Sequence, residues 1–180
     1  VISVARANSQ VTYPAHFMLV ATMNPCPCGY YGDPEHECSC SMPQILNYQK
    51  RLSGPLLDRI DMIIPVSRIP HDQLLDAKLS SNTQHISARI AIEKTRNTQS
   101  LRYKSSKNSN SSLNNSEVKR FIKLSPSTKT FLDSAATKLK LSARSYFKII
   151  KVARTIADIE QSETVEIPHI AEALQYRQVT

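Results

Sequence analysis

A chain of 180 residues, 41% of them apolar, is long enough to form one packed domain or two small ones. Its net charge is +8, and its apolar runs are all shorter than a bilayer-spanning segment. Because the first residues carry no signal-peptide pattern either, we expect a soluble, cytoplasmic protein without a membrane partner.

The first 67 residues have the pattern of strands and loops. Ile2 to Ala5 and Gln10 to Tyr13 flank a short polar stretch and predict a β-hairpin. The run from Phe17 to Met23 has no polar alternation, which is typical of a strand buried on both faces of a parallel sheet. Ile60 to Val66, closed by prolines, predicts a second such strand.

Four cysteines follow the first apolar run with the spacing Cys-x-Cys-x9-Cys-x-Cys. Four thiolates can surround one Zn²⁺ tetrahedrally and order a loop that has few apolar residues of its own. The alternatives are reduced packing thiols or a redox pair, and no motif places a histidine beside a catalytic cysteine. We expect a structural zinc site made of Cys26, Cys28, Cys38 and Cys40.

Two polar side chains lie at turns beside the apolar runs. Asn24 follows the first run, and ligands of open parallel sheets bind outside the carboxyl ends of strands. Its amide can orient a water molecule or a phosphate oxygen, or Asn24 can simply form the turn with Pro25. Arg59 lies between Asp58 and Asp61, where it can reach a phosphate or pair with an aspartate. The spacing leaves these alternatives open.

The middle of the chain predicts one long helix and then a linker. Asp72 to Tyr103 has helical spacing, with Ile86 and Ile90 on one side. Ser105 to Ser116 consists largely of Ser and Asn, so we expect a linker or a mobile loop there.

The positive charge is concentrated in this middle part. Residues 81–154 hold 16 Lys and Arg but 3 Asp and Glu, a net charge of +13. Positive charge at that density attracts the phosphates of a nucleotide or a nucleic acid. The alternative is a solvated basic linker, which we prefer for Lys104 to Lys107.

The last third predicts three short helices that form a small bundle. One carries Leu132 to Leu139, one begins after the N-cap Ser142 with an apolar stripe from Tyr146 to Ala157, and one opens at Pro168. Arg144 lies in the first turn of the second helix, where a cation opposes the macrodipole. A bound phosphate would compensate this charge, or the side chain can reach into water.

These motifs together resemble the C-terminal part of the Mg-chelatase-like AAA+ ATPases of the ComM/YifB type. The resemblance covers nearly the whole chain and is weakest from Ser105 to Lys123. It is carried by the strings Met23 to Asp33, Ser53 to Asp61, Ser142 to Tyr146 and Lys151 to Asp158.

The resemblance implies a role for each matching residue. Asn24 matches sensor 1, which helps to place the hydrolytic water, and Arg59 matches the arginine finger, which acts on nucleotide bound by a neighbouring subunit. Arg144 matches sensor 2 of the helical lid. Residues 1–13 match a hairpin that can point into the pore of related rings, so Arg6 is a candidate contact with nucleic acid.

The resemblance also implies a fold, an assembly and cofactors. The expected class is α/β plus all-α: an incomplete AAA+ core over residues 1–68, a connecting helix and linker over 69–116, and a helical lid over 117–180. The expected cofactors are ATP with Mg²⁺, and the expected assembly is a homo-oligomer, a hexameric ring, acting on DNA.

The residues that would hold ATP are not found in this sequence. It has no Gly-rich loop ending in Gly-Lys-Ser/Thr and no strand ending in an acidic pair. Because Val1 stands in what looks like the middle of a strand, we expect a fragment of a longer protein that is inactive as an ATPase alone. The competing hypothesis is a stand-alone, zinc-stabilised nucleic-acid-binding protein without ATPase activity.

Overall fold

The computed structural model of the chain describes residues 1–6, 9–15, 17–66, 82–105 and 109–177, which fall into two units. The units are Val1–Arg51 and Leu52–Thr180. Over the described ranges no helix combines the length and the apolar character that a membrane span needs. The structure is mostly helical, and its elements in chain order are β1 (Ile2–Arg6), β2 (Ser9–Tyr13), α1 (Met42–Gln49), α2 (Gly54–Leu57), α3 (Asn82–Tyr103), a 3₁₀ turn (Asn110–Ser112), α4 (Asn115–Phe121), α5 (Pro126–Lys138), α6 (Ala143–Ile159) and α7 (Ile167–Gln175).

The first unit contains the hairpin, the cysteine loop and α1. Strands β1 and β2 pair antiparallel, with Ile2 opposite Tyr13 and Arg6 opposite Ser9, so the predicted hairpin is confirmed. Helix α1 begins after Ser41, whose backbone N–H donates to the side chain of Gln44 at 2.9 Å. This hydrogen bond satisfies the backbone N–H of the N-cap residue, as in a capping box, and favours a helix start at this position.

The two predicted buried strands are not strands in this structure. Phe17 and Met18 are 72% and 88% exposed, and Ile64 and Val66 are exposed as well. The physical reason is that a strand is stabilised by hydrogen bonds to neighbouring strands, and β1 and β2 form the only sheet among the described residues. The predicted parallel AAA+ core is therefore not seen among the described residues, and the two apolar segments are neither helix nor strand.

The core of the second unit is built around α6. Its predicted apolar stripe is confirmed, since Ile149, Ile150, Ala153 and Ala157 are all buried. The helix packs against α3, α4, α7 and the 3₁₀ turn. Leu132 of α5, together with Val165 and Ile170, completes the buried cluster. Burial of this apolar stripe is the main source of stability for helices of such modest length.

Local signals explain why the helices of the last third begin where they do. Ser142 accepts a hydrogen bond from the Ser145 backbone N–H at 3.1 Å, as its predicted role of N-cap requires. Ser125 does the same for α5, and α7 carries Pro168 in its first turn. Helix α4 was not predicted from the sequence, although Asn114 and Glu117 form a capping box at its start.

Helix α3 uses a polar face to contact the rest of the unit. The predicted start of this helix, residues 72–81, lies outside the described residues. Ile86 and Ile90 are more than half exposed, whereas Thr95, Gln99 and Tyr103 are buried at four-residue spacing. The hydroxyl of Thr95 donates to the Ala91 carbonyl at 2.8 Å, so burial leaves it satisfied.

Part of the Ser- and Asn-rich tract is core rather than linker. Asn110 and Leu113 are 1% and 3% exposed. Asn110 accepts a hydrogen bond from the Tyr103 hydroxyl and donates to Thr155 and Asp158 at 3.0 and 2.9 Å. The prediction of a mobile loop was wrong at these positions, because composition does not reveal a polar side chain whose partners come from distant helices. Residues 106–108 lie outside the described part.

Candidate functional site

The cysteine loop brings four thiols to one point. Cys26 and Cys28 lie on the turn after Asn24, and Cys38 and Cys40 lie just before α1. Their four sulfur atoms all lie within 4.8 Å of one another, and all four cysteines are free thiols. Cys26 is fully buried, and Cys28, Cys38 and Cys40 are partly exposed.

The spacing of the sulfur atoms fits tetrahedral coordination. Four sulfurs at about 2.3 Å from a tetrahedral Zn²⁺ are separated from one another by about 3.8 Å. The Cys26–Cys28, Cys28–Cys38 and Cys26–Cys38 distances are 3.3, 3.5 and 3.7 Å. The donor set is all sulfur, which suits zinc and excludes the hard cations Mg²⁺ and Ca²⁺. The cluster is compatible with zinc binding.

The pKa values of the thiols differ because backbone hydrogen bonds, burial and the neighbouring sulfur atoms act on each thiol differently. A hydrogen bond from the Tyr30 backbone N–H is the main reason that the pKa of Cys28 falls to about 5. Although the Cys40 backbone N–H favours the Cys38 thiolate, burial and the neighbouring sulfurs raise the pKa of Cys38 to about 12. Adjacent thiolates oppose one another's ionisation, so all four can be deprotonated together only beside a cation.

Backbone contacts hold the cysteine loop around this cluster. The Tyr31 N–H donates to the Cys26 sulfur at 3.4 Å, and the Gly29 N–H donates to the Cys26 carbonyl at 3.1 Å. Gly29 has a φ of +85°, which side chains other than glycine rarely adopt. A Cβ at Gly29 would lie 3.9 Å from the amide nitrogen of Asn24, so this exposed side chain lies beside the cysteine turn.

In the second unit, Arg59 lies exposed just after α2. Helix α2 begins at the N-cap Ser53, which accepts from the Leu56 N–H at 3.3 Å. The Arg59 guanidinium donates to the Pro55 carbonyl at 2.9 Å. In the described part of the chain Arg59 makes no ion pair, so the alternative of a local pair with an aspartate is not what the structure shows. Asp58 and Asp61 pair with other residues.

The carboxylate of Asp58 contacts the first turn of α6. It accepts hydrogen bonds from the hydroxyls of Ser142, at 3.1 Å from each oxygen, and Ser145. Arg177, beyond the end of α7, approaches the same carboxylate to 3.3 Å. The Ser145 hydroxyl is the largest cause of the lowered pKa of Asp58. A carboxylate at this helix end is favoured by the macrodipole.

Arg144 is exposed on the same first turn of α6. It makes no hydrogen bond or ion pair within the described ranges, and the Asp58 carboxylate, which contacts Ser142 and Ser145, supplies negative charge at the same helix end. Arg6 ends β1, exposed and opposite Ser9. Asn24 and Arg6 thus belong to the first unit, and Arg59 and Arg144 to the second.

Sequence reasoning missed Lys148 and Arg177 as partners of the Arg59 segment. Lys148 donates to the Arg59 carbonyl and forms an ion pair with Asp61 at 2.9 Å. These contacts join residues nearly 90 positions apart, so no local sequence pattern predicts them. The nearest signal was the pair of aspartates beside Arg59, of which Asp58 is partly buried and needs a cationic partner, whereas Asp61 is 63% exposed.

Two family descriptions match the chain in succession. Residues 1–74 match "Magnesium chelatase, subunit ChlI", and residues 80–177 match "Magnesium chelatase, subunit ChlI C-terminal". The second match alone covers more than half of the chain.

Individual relatives match over almost the whole chain. It is 40% identical over 176 residues to the competence protein ComM of Haemophilus influenzae, covering 98% of this chain and 33% of that protein. It is 34% identical over 178 residues to the uncharacterized protein YifB of Escherichia coli, covering 99% and 34%. A protein of Mycobacterium bovis is 30% identical over 177 residues, covering 98% and 34%. The chain spans about a third of the length of these relatives.

Proposed function

Because the chain belongs to the magnesium chelatase subunit ChlI C-terminal family and is of the ComM/YifB type, we propose that it supplies the sensor, arginine-finger and lid residues of an AAA+ ATPase. In this proposal Asn24 orients the hydrolytic water and Arg59 acts on ATP bound by a neighbouring subunit. Arg144 contacts the nucleotide of its own subunit. The residues that cradle ATP and Mg²⁺ belong to a part of the full-length protein outside this sequence.

One observation supports this proposal most directly. Arg59 and Arg144 are both exposed and both lack a carboxylate partner in the described residues, yet Asp58 holds their two segments against each other. An exposed arginine without a carboxylate partner keeps guanidinium donors available for a phosphate. Arg59 is thus available to ATP bound by the neighbouring subunit, and Arg144 to ATP bound by its own subunit.

The test is Arg59→Ala in the full-length protein. An arginine finger supplies about 10³–10⁵ in rate, so ATP turnover should fall by at least about 10³-fold while ATP binding changes little. Arg89→Ala is the matched control, since Arg89 is an exposed arginine whose partner is Glu93 on the same helix. Mixing Arg59→Ala subunits with subunits that cannot bind ATP should restore part of the turnover. Wild-type turnover in Arg59→Ala would refute the assignment.

A homo-oligomer follows from an arginine that acts across a subunit boundary. We propose a hexameric ring, and its test is the mass of the full-length protein with and without ATP, by light scattering. A monomer that retains full ATP turnover would contradict a finger supplied in trans.

DNA is the proposed macromolecular substrate. The net charge of +13 over residues 81–154 and the similarity to a protein named for competence support it. Binding that depends on phosphate neutralisation weakens steeply with salt, so affinity for DNA should fall by orders of magnitude between 50 and 200 mM salt. The Arg6→Ala variant tests the hairpin contact. DNA binding without any ATP turnover by the full-length protein would favour the competing zinc-stabilised nucleic-acid-binding protein.

A further inference from the structure

The segment that carries Arg59 forms hydrogen bonds and an ion pair with α6 through the residues on both sides of the arginine. Before it, Asp58 accepts from Ser142 and Ser145 in the first turn of the helix. After it, Lys148, one turn further along α6, pairs with Asp61 and donates to the Arg59 carbonyl. The position of Arg59 is therefore determined by the helix on which Arg144 lies.

The contacts of Asp58 are more specific than ordinary surface packing. Ser145 is fully buried, and its hydroxyl has the Asp58 carboxylate as its partner. Arg177, just after the end of α7, forms an ion pair with the same carboxylate. The residue before it, Tyr176, accepts a hydrogen bond through its carbonyl from the Ile63 N–H at 2.8 Å. Removal of the carboxylate would leave a buried hydroxyl without its acceptor and a half-buried guanidinium without its counter-charge.

The negative charge also offsets the unfavourable position of Arg144. A cation in the first turn of a helix opposes the macrodipole, whereas a carboxylate at the same end is stabilised by it. With Asp58 in place, Arg144 can remain extended toward solvent without a phosphate.

We propose that Asp58 is a positioning residue that couples Arg144 to Arg59. Any movement of the first turn of α6 that accompanies nucleotide contact at Arg144 is transmitted through Asp58 to the backbone of Arg59. This inference rests on the proposed function, in which Arg144 and Arg59 act at two different nucleotide sites of the assembly. Asp58 then links the nucleotide state of one subunit with hydrolysis at the next.

The test is Asp58→Asn in the full-length protein, with Asp133→Asn as matched control. Asp133 also accepts a hydrogen bond from an α6 hydroxyl, that of Tyr146 at 2.8 Å, but in the described part of the chain it has no hydrogen bond or ion pair with residues 58–61. Displacement of a catalytic group by about 1 Å costs about 10²-fold in rate. We expect kcat to fall by roughly that factor in Asp58→Asn, with the KM for ATP within about twofold of wild type, and the cooperativity of turnover with ATP to be lost.

A second variant keeps the inference falsifiable if Asp58→Asn folds poorly. Ser142→Ala combined with Ser145→Ala removes the two hydroxyl partners and leaves the carboxylate with Arg177. If both variants act through one contact, their combination should be no worse than the more severe of the two. Hydrogen exchange at residues 58–61 and 143–148 should increase in both variants and stay unchanged in Asp133→Asn.

The outcomes separate this inference from the function on which it rests. Absence of ATP turnover in the wild-type protein would overturn the proposed function and the inference with it. An inactive Arg59→Ala beside an Asp58→Asn that turns over ATP like wild type, with cooperativity retained, would overturn the inference alone. Loss of stability in Asp58→Asn with an unchanged kcat and unchanged cooperativity would do the same, since it would reduce Asp58 to a structural contact.

Discussion

The carboxylate of Asp158 accepts a hydrogen bond from Nη1 of Arg102 at 2.9 Å, although the two residues are 56 positions apart. This contact joins the end of α3 to the end of α6. Asp158 is fully buried and accepts further hydrogen bonds from Arg154 at 2.7 Å and Asn110 at 2.9 Å. A buried carboxylate with this many charged donors organises the second unit around one polar centre.

Replacement of Asp158 by alanine should strongly destabilise the second unit. Loss of one partner of a buried ion pair leaves an uncompensated charge, here that of the buried Arg154, and costs about 3–5 kcal/mol. Urea unfolding of the chain, followed by helical circular dichroism, measures the change. The control is Glu93→Ala, which removes the exposed pair with Arg89 and should cost less than about 1 kcal/mol. Equal effects of the two variants would show that the buried network contributes little.

The stability of the second unit should fall at acid pH. Although burial opposes it, hydrogen bonds from Arg102 and Asn110 lower the pKa of Asp158, and the Ser145 hydroxyl lowers that of Asp58. A carboxyl whose pKa is lower in the folded state contributes stability that is fully present above its unfolded pKa, about 3.9, and is lost as the pH falls through the folded pKa. The free energy of unfolding should therefore drop below about pH 4.

Variants identify which carboxyl produces this acid dependence. In Asp58→Asn and Asp158→Asn the drop in the free energy of unfolding below pH 4 should be shallower than in wild type, because one shifted group no longer titrates. Asp133→Asn serves as the control and should keep the wild-type slope. An acid dependence that is identical in all four proteins would contradict the assignment.

Purified protein should contain about one zinc per chain, bound by Cys26, Cys28, Cys38 and Cys40. Elemental analysis measures the metal, and Cys28→Ser should lose it because three thiolates hold zinc less tightly than four. His36→Ala is the control, since His36 is in the same loop but outside the four-sulfur cluster, and it should keep the metal. Four freely titrating thiols and no metal would leave reduced packing thiols as the better interpretation.

The apolar segments without a ladder should exchange their amide hydrogens rapidly in the chain studied alone. Residues 17–23 make no backbone hydrogen bond with the described residues, whereas the amides of α6 lie in a packed helix. Ile63 provides an internal comparison, since its N–H donates to the Tyr176 carbonyl and should be better protected than its neighbours. Uniform protection over all residues, measured by nuclear magnetic resonance, would show that the segments are structured in solution.

Local chemistry was enough to predict the hairpin, the starts of α6 and α7, and the cysteine cluster. Each depends on groups within about a dozen residues: alternation along a strand, a serine one turn before its N–H partner, or thiols on two sides of a short loop. The capping box at Asn114 was equally local and was overlooked because of the composition around it. The domain boundaries at 68 and 116 stay predictions.

Tertiary structure decided which distant polar groups pair and whether the apolar runs form strands. Phe17 to Met23 has the composition of a buried strand, but a strand needs a neighbour to accept its hydrogen bonds, and no residue within the run can supply one. Asn110 became a core residue because Tyr103, Thr155 and Asp158 converge on it from other helices. Asp58 likewise meets Ser142 across 84 positions, a contact that exists only once α6 has packed.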